Sequence, residues 1–112
     1  MEDLRLERRG RLALAVYAGE LANERVSALR RELDAALADP TCRALVLDLA
    51  GTTFLDSSGI GFLVSLASRL KAGGRQLALR DPSPQVRKTL ELVRLITYFS
   101  VLERSADLSG LE

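Results

Sequence analysis

Two adjacent hydroxyls, Ser57 and Ser58, stand between Asp56 and Gly59 at the point where an apolar run, Ala44 to Leu49, passes through a short bend into a helical pattern. A helix start presents backbone N–H groups with no intrahelical acceptor and a partial positive charge, so an oxyanion placed there is stabilised. A serine in that first turn is therefore suited to receive and carry a phosphoryl group. It is poorly equipped to act as a nucleophile itself. The chain has no His and one Cys, Cys42, which removes histidine-based triads and zinc sites, and Lys71 or Lys88 would need an unsupported geometry to serve as a base. The pattern reads as a switch whose chemistry is supplied by another protein, and no enzymatic activity is expected.

The chain balances 16 Lys and Arg against 15 Asp and Glu, a net charge of +1 in 112 residues. That balance gives no general attraction to nucleic acid or anionic lipid, so a partner must be recognised by shape. No apolar stretch reaches the roughly 18 to 20 residues of a membrane span, and Met1-Glu2-Asp3-Leu4-Arg5 is charged where a signal peptide would be apolar. Membrane insertion is not expected, and a lone cysteine fits a reducing, cytoplasmic setting.

The elements that must position the serines follow from hydrophobic periodicity. Leu4, Leu6 and Arg8 alternate with Arg5 and Glu7 as in a half-exposed strand, and Gly10 suits a turn. Residues 12–18 are apolar throughout, as in a strand covered on both faces. Val26, Leu29, Leu33, Ala36 and Leu37 then recur at helical spacing, with Asn23 as the expected N-cap and Asp39-Pro40 as the stop. After the strand Ala44 to Leu49, the helix opened by Asp56 places Ile60, Leu63, Val64, Ala67 and Leu70 on one side and ends at Gly73-Gly74. Gln76 to Arg80 alternates as a strand, and Ser83-Pro84 caps and opens a helix carrying Val86, Leu90 and Val93. Thr97 to Leu102 supplies a short last strand, and Ser105 to Leu111 a closing helical turn. The expected fold is a single α/β domain over residues 1–112, with a mixed, mostly parallel sheet of about four to five strands and about four helices.

The run Val46-Leu47-Asp48-Leu49 through Phe54-Leu55-Asp56-Ser57-Ser58-Gly59-Ile60-Gly61 resembles the signature of anti-sigma factor antagonists of the STAS family. Gly19-Glu20-Leu21, Gly73-Gly74 and Ser83-Pro84-Gln85-Val86 extend the resemblance over nearly the whole chain. It implies a small cytoplasmic STAS domain in a bacterial partner-switching system. An anti-sigma factor with serine kinase activity would bind the unmodified chain, releasing its sigma factor, and would phosphorylate it at Ser58. Phosphorylation would release the chain, and a serine phosphatase would restore it. ATP and Mg would be bound by the kinase, leaving this chain without a cofactor. The docking surface implied is Asp56, Ser57, Ser58, Gly59 and Gly61, with Glu20 and Asn23 beside it. One departure is Ala22, where the family usually carries Asp; Asn23 would take over the cap without supplying the charge.

Other readings of single residues are more ordinary. Asp48 is expected to face outward or to bond to a loop, and Phe62 and Leu66 to pack in the core rather than face a partner. A phosphoaspartate receiver is disfavoured because the first buried strand ends in Tyr17-Ala18 without an acidic pair and the last strand has no Lys. The alternative that shares the fold is a non-catalytic STAS subunit or scaffold of a transporter, lipid-trafficking or stress-sensing complex.

Overall fold

A computed structural model describes residues 1–112. The apolar runs form the middle of a five-stranded sheet: β1 (Leu4–Arg9), β2 (Leu12–Tyr17), β4 (Ala44–Asp48), β6 (Gln76–Arg80) and β7 (Ser100–Leu102), ordered β1-β2-β4-β6-β7. β1 and β2 form an antiparallel hairpin, while β2, β4, β6 and β7 are mutually parallel. Three helices, α1 (Glu24–Leu37), α2 (Ser57–Ala72) and α3 (Pro84–Leu92), supply the connections.

Alternation along each strand sorts residues to two faces. Ala13, Ala15, Tyr17, Leu45, Leu47 and Leu79 pack in the main core with Val26, Leu29 and Leu33 of α1, Phe62, Leu63 and Leu66 of α2, and Val86 and Leu90 of α3. Leu12, Leu14, Ala44, Val46 and Ala78 form a second, smaller cluster with Leu108. Its cover is the C-terminal segment after β7, which carries Leu108 and Leu111 against this face and ends with the Glu112 carbonyl accepting the Arg11 N–H at 2.7 Å.

Two expectations are corrected. The helix count is three rather than about four, because the remaining helical turns, Ile96–Tyr98 and Ser109–Leu111, are single 3₁₀ turns. Two further strands appear, one of them within the expected bend before Asp56: β3 (Gly19–Leu21) and β5 (Thr52–Leu55) pair in parallel as a separate two-stranded sheet. Neither is long enough to show a period; each exists because the other completes its backbone hydrogen bonds. β5 is fixed from behind, since Thr52 Oγ1 donates to the Tyr17 carbonyl at 3.1 Å and Ser83 Oγ donates to the Thr52 carbonyl.

Of the two places expected for Asp48, the structure shows the loop-bonded one and not the outward-facing one. It is fully buried at the end of β4, where Oδ1 accepts the Ala50 N–H at 3.0 Å and Oδ2 accepts Arg80 Nε at 2.8 Å and Arg104 Nη2 at 2.7 Å. Burial pushes its carboxyl up, and the Ala50 amide with the two guanidinium groups outweighs that, leaving it below the ordinary carboxylate range. The carboxylate thus ties the β4 bend and the C-terminal segment to the sheet. Asp48→Ala is expected to lower unfolding free energy by about 3 kcal/mol, because it strands the Arg80 guanidinium, as read by urea denaturation. Arg104→Ala, at an exposed guanidinium, should cost much less.

Candidate functional site

The site forms where β5 ends and α2 begins. Asp56 has extended backbone angles (φ −94°, ψ −176°), as an N-cap requires, and its Oδ1 accepts the Gly59 N–H at 2.8 Å. The same oxygen accepts the Ser58 hydroxyl at 2.6 Å, and Ser58 Oγ in turn accepts the Asn23 backbone N–H at 3.2 Å. Ser57 and Ser58 are both exposed in the first turn of α2. Of the two, it is Ser58 that the chain holds in place, between a carboxylate on its own turn and an amide from a distant segment. The Ser58 hydroxyl and then the Gly59 amide hold the Asp56 carboxyl below the ordinary range, so it is charged at neutral pH.

Asn23 does not cap α1 with its side chain. It sits at φ 53°, ψ −126°, outside the extended region a side-chain cap uses, and makes no such hydrogen bond. Positive φ is tolerated by Asn better than by most residues. Its contribution is the backbone N–H that this turn aims at Ser58. Ala22 beside it is buried, so position 22 provides packing here and no surface charge. Glu20 is exposed and lies opposite Phe54 in the β3–β5 pair.

The two glycines separate. Gly59 is buried, and a Cβ there would overlap the Leu21 carbonyl oxygen and crowd Leu55 Cδ1. The backbone that approaches Gly59 therefore belongs to this chain and not to a partner, which corrects the docking role read for it. Gly61 is exposed, with nothing within 4 Å of the position a Cβ would take, so it remains open to an approaching surface. Phe62 and Leu66 are buried in the core, as expected. The residue that the sequence reading passed over is Phe54, 51% exposed on β5 two residues before the cap. Only its place in a strand, opposite Glu20, reveals which way it faces.

No cluster of three or more His, Cys, Asp or Glu side chains is placed to hold a metal ion, and no helix is long and apolar enough to cross a membrane. The chain belongs to the STAS family: the family described as "Mlab, STAS domain" matches residues 5–103. It is similar to an anti-sigma F factor antagonist of Lysinibacillus sphaericus, 33% identical over 73 residues, which are 65% of this chain and 62% of that protein. The matched stretch thus spans less than two thirds of that relative. An anti-sigma F factor antagonist of Paenibacillus polymyxa is 23% identical over 105 residues, 94% of this chain and 90% of the relative. In fold, the chain matches the unphosphorylated form of the anti-sigma factor antagonist SpoIIAA with a TM-score of 0.76 at 24% identity, over 91% of this chain and 88% of that one.

The geometry separates the two glycines experimentally. Gly59→Ala is expected to cost about 2 kcal/mol or more, because the clash is with backbone, while Gly61→Ala should stabilise by roughly 0.5–1 kcal/mol through helix propensity; chemical denaturation of the two variants reads both signs. A folded-state carboxyl held below its unfolded value stabilises at pH values above the unfolded pKa, and that stability is lost as pH falls through the folded pKa. The gap in Tm between the wild type and Asp56→Ala should therefore be full at pH 7 and shrink as the pH drops below about 4.

Proposed function

We propose that this chain is an anti-sigma factor antagonist of a bacterial partner-switching system, acting in the cytoplasm. Unmodified, it binds an anti-sigma factor that is also a serine kinase, and the sigma factor is freed. The kinase, holding ATP and Mg, transfers the γ-phosphoryl group to Ser58: a bond forms from Oγ to phosphorus, the bond to the β-phosphate bridging oxygen breaks, the hydroxyl proton leaves and ADP departs. A serine phosphatase later hydrolyses the ester.

The observation that carries this reading is the Ser58 hydroxyl, exposed on the first turn of α2 and held between Asp56 and the Asn23 amide. Phosphorylation removes the hydrogen that Ser58 donates and sets roughly −1.5 to −2 charges beside the Asp56 carboxylate. The α2 dipole offsets part of that repulsion. None of the three residues belongs to either hydrophobic cluster, so the change is written on the surface and not in the core. Release then follows from an unpaired charge and added bulk at the interface.

Because the STAS family match fixes the fold and leaves the partner open, a second reading is a non-catalytic STAS subunit or scaffold of a transporter, lipid-trafficking or stress-sensing complex. Incubation of the purified chain with anti-sigma factor and ATP, followed by mass spectrometry, separates them. Phosphate on Ser58, lost in Ser58→Ala and kept in Ser57→Ala, is the expected result, with the phosphorylated chain melting within a few degrees of the unmodified one. Phosphate on Ser57 in the Ser58→Ala protein would reassign the acceptor, and absence of both binding and phosphorylation would favour the scaffold.

A further inference from the structure

From its place beside the phosphoacceptor we infer that Phe54 is an anchor for the anti-sigma factor kinase, filling an apolar recess next to the kinase's nucleotide site. The inference rests on the reading of Ser58 as phosphoacceptor and adds a residue and a pocket chemistry to it.

Reach comes first. A kinase that delivers phosphate to Ser58 Oγ must cover the surface around it, and a standard interface of ~800 Å² per partner is a disc of ~16 Å radius. Phe54 lies four residues from Ser58, and four residues span at most ~14 Å even when fully extended. An interface of that size centred on Ser58 takes in Phe54. Direction comes second. In the β3–β5 pair, Leu21 and Leu55 are buried, while Glu20 and Phe54, which are directly opposite one another, are exposed. The outward face of this small sheet thus presents an aromatic ring, half exposed, on the edge that continues into Asp56, Ser57 and Ser58.

Phe62 and Leu66 of α2 are fully buried in the core, which leaves Phe54 as the exposed aromatic ring on this edge. Large exposed aromatics flanked by polar groups are the residues that dominate binding energy when a partner desolvates them. The surrounding charge defines the rest of the recess. On the β3 side of this edge stand Glu20, Glu24 and Asp56, with Arg25 paired to Asp3, while α3, which packs against β5, carries the exposed Arg87 and Lys88. The partner that fits is an apolar pocket with Lys or Arg on the side that meets β3.

The test is steady-state phosphorylation of the full chain by a purified anti-sigma factor kinase with radiolabelled ATP, comparing wild type, Phe54→Ala, Phe54→Leu and, as an exposed apolar control on β1, Leu6→Ala. Phe54→Ala is expected to lower kcat/KM by about tenfold or more, through KM rather than kcat, because a docking residue contributes equally before and during transfer. Phe54→Leu should lie between, Leu6→Ala should match wild type, and all four should melt alike. Equal kcat/KM for Phe54→Ala and wild type would overturn the inference while leaving Ser58 as acceptor. No phosphorylation of the wild type would remove the reading beneath it and the inference together. A wild-type dimer that Phe54→Ala dissolves, with kinase turnover unchanged, would assign the ring to self-association and also overturn it.

Discussion

Gly59 lies so close to the carbonyl of Leu21 that no side chain fits between them, and the geometry of the site depends on that approach. It docks the first turn of α2 against the end of β3, through two residues 38 positions apart in the chain. With the helix start seated there, the turn after Leu21 carries the Asn23 amide to Ser58, and the Asp56 carboxylate closes the other side of the same hydroxyl. The short β3–β5 pair has the same origin. Its strands bury Leu21 and Leu55 on the inside and are completed by each other's backbone. A methyl group at position 59 would push the helix off this support and separate the three groups that define the serine's environment.

The molecule divides into a part that must not change and a part that can. The sheet and the inner faces of the three helices hold the main core, and the C-terminal segment seals the opposite face with Leu108. Asp48 links these regions through one buried carboxylate that meets Ala50, Arg80 and Arg104. The serine edge lies outside both clusters. A charge added there meets solvent, a helix N-terminus and one carboxylate, with no packed side chain to displace. That separation is what a reversible surface switch requires, since its two states must share one stable scaffold.

Much of this was legible in the sequence because long periodic segments dominate the fold. The three α-helices and the five strands of the main sheet follow from apolar spacing and from caps such as Ser83-Pro84 and Asp56, and the cap on α2 is made as its residue types imply. What was not legible was set by contacts between distant segments. Gly19–Leu21 and Thr52–Leu55 are too short to carry a period, so their pairing, and with it the exposure of Phe54, appears only in three dimensions. Asn23 has a capping side chain but takes positive φ, because the turn into α1 must bring its amide to Ser58. For Asp48 the strand pattern leaves an outward-facing and a loop-bonded place equally open, and its guanidinium partners come from 32 and 56 residues away. Gly59 and Gly61 are alike as residue types and opposite in surroundings.

The central claim is that the state of one hydroxyl decides whether a partner is held. Isothermal titration of the anti-sigma factor with unmodified chain and with chain phosphorylated stoichiometrically at Ser58, in the presence of bound sigma factor, tests it most directly. The account predicts that the unmodified chain binds and displaces the sigma factor while the phosphorylated chain, equally folded, does neither. Equal affinity of the two forms for the anti-sigma factor would contradict it.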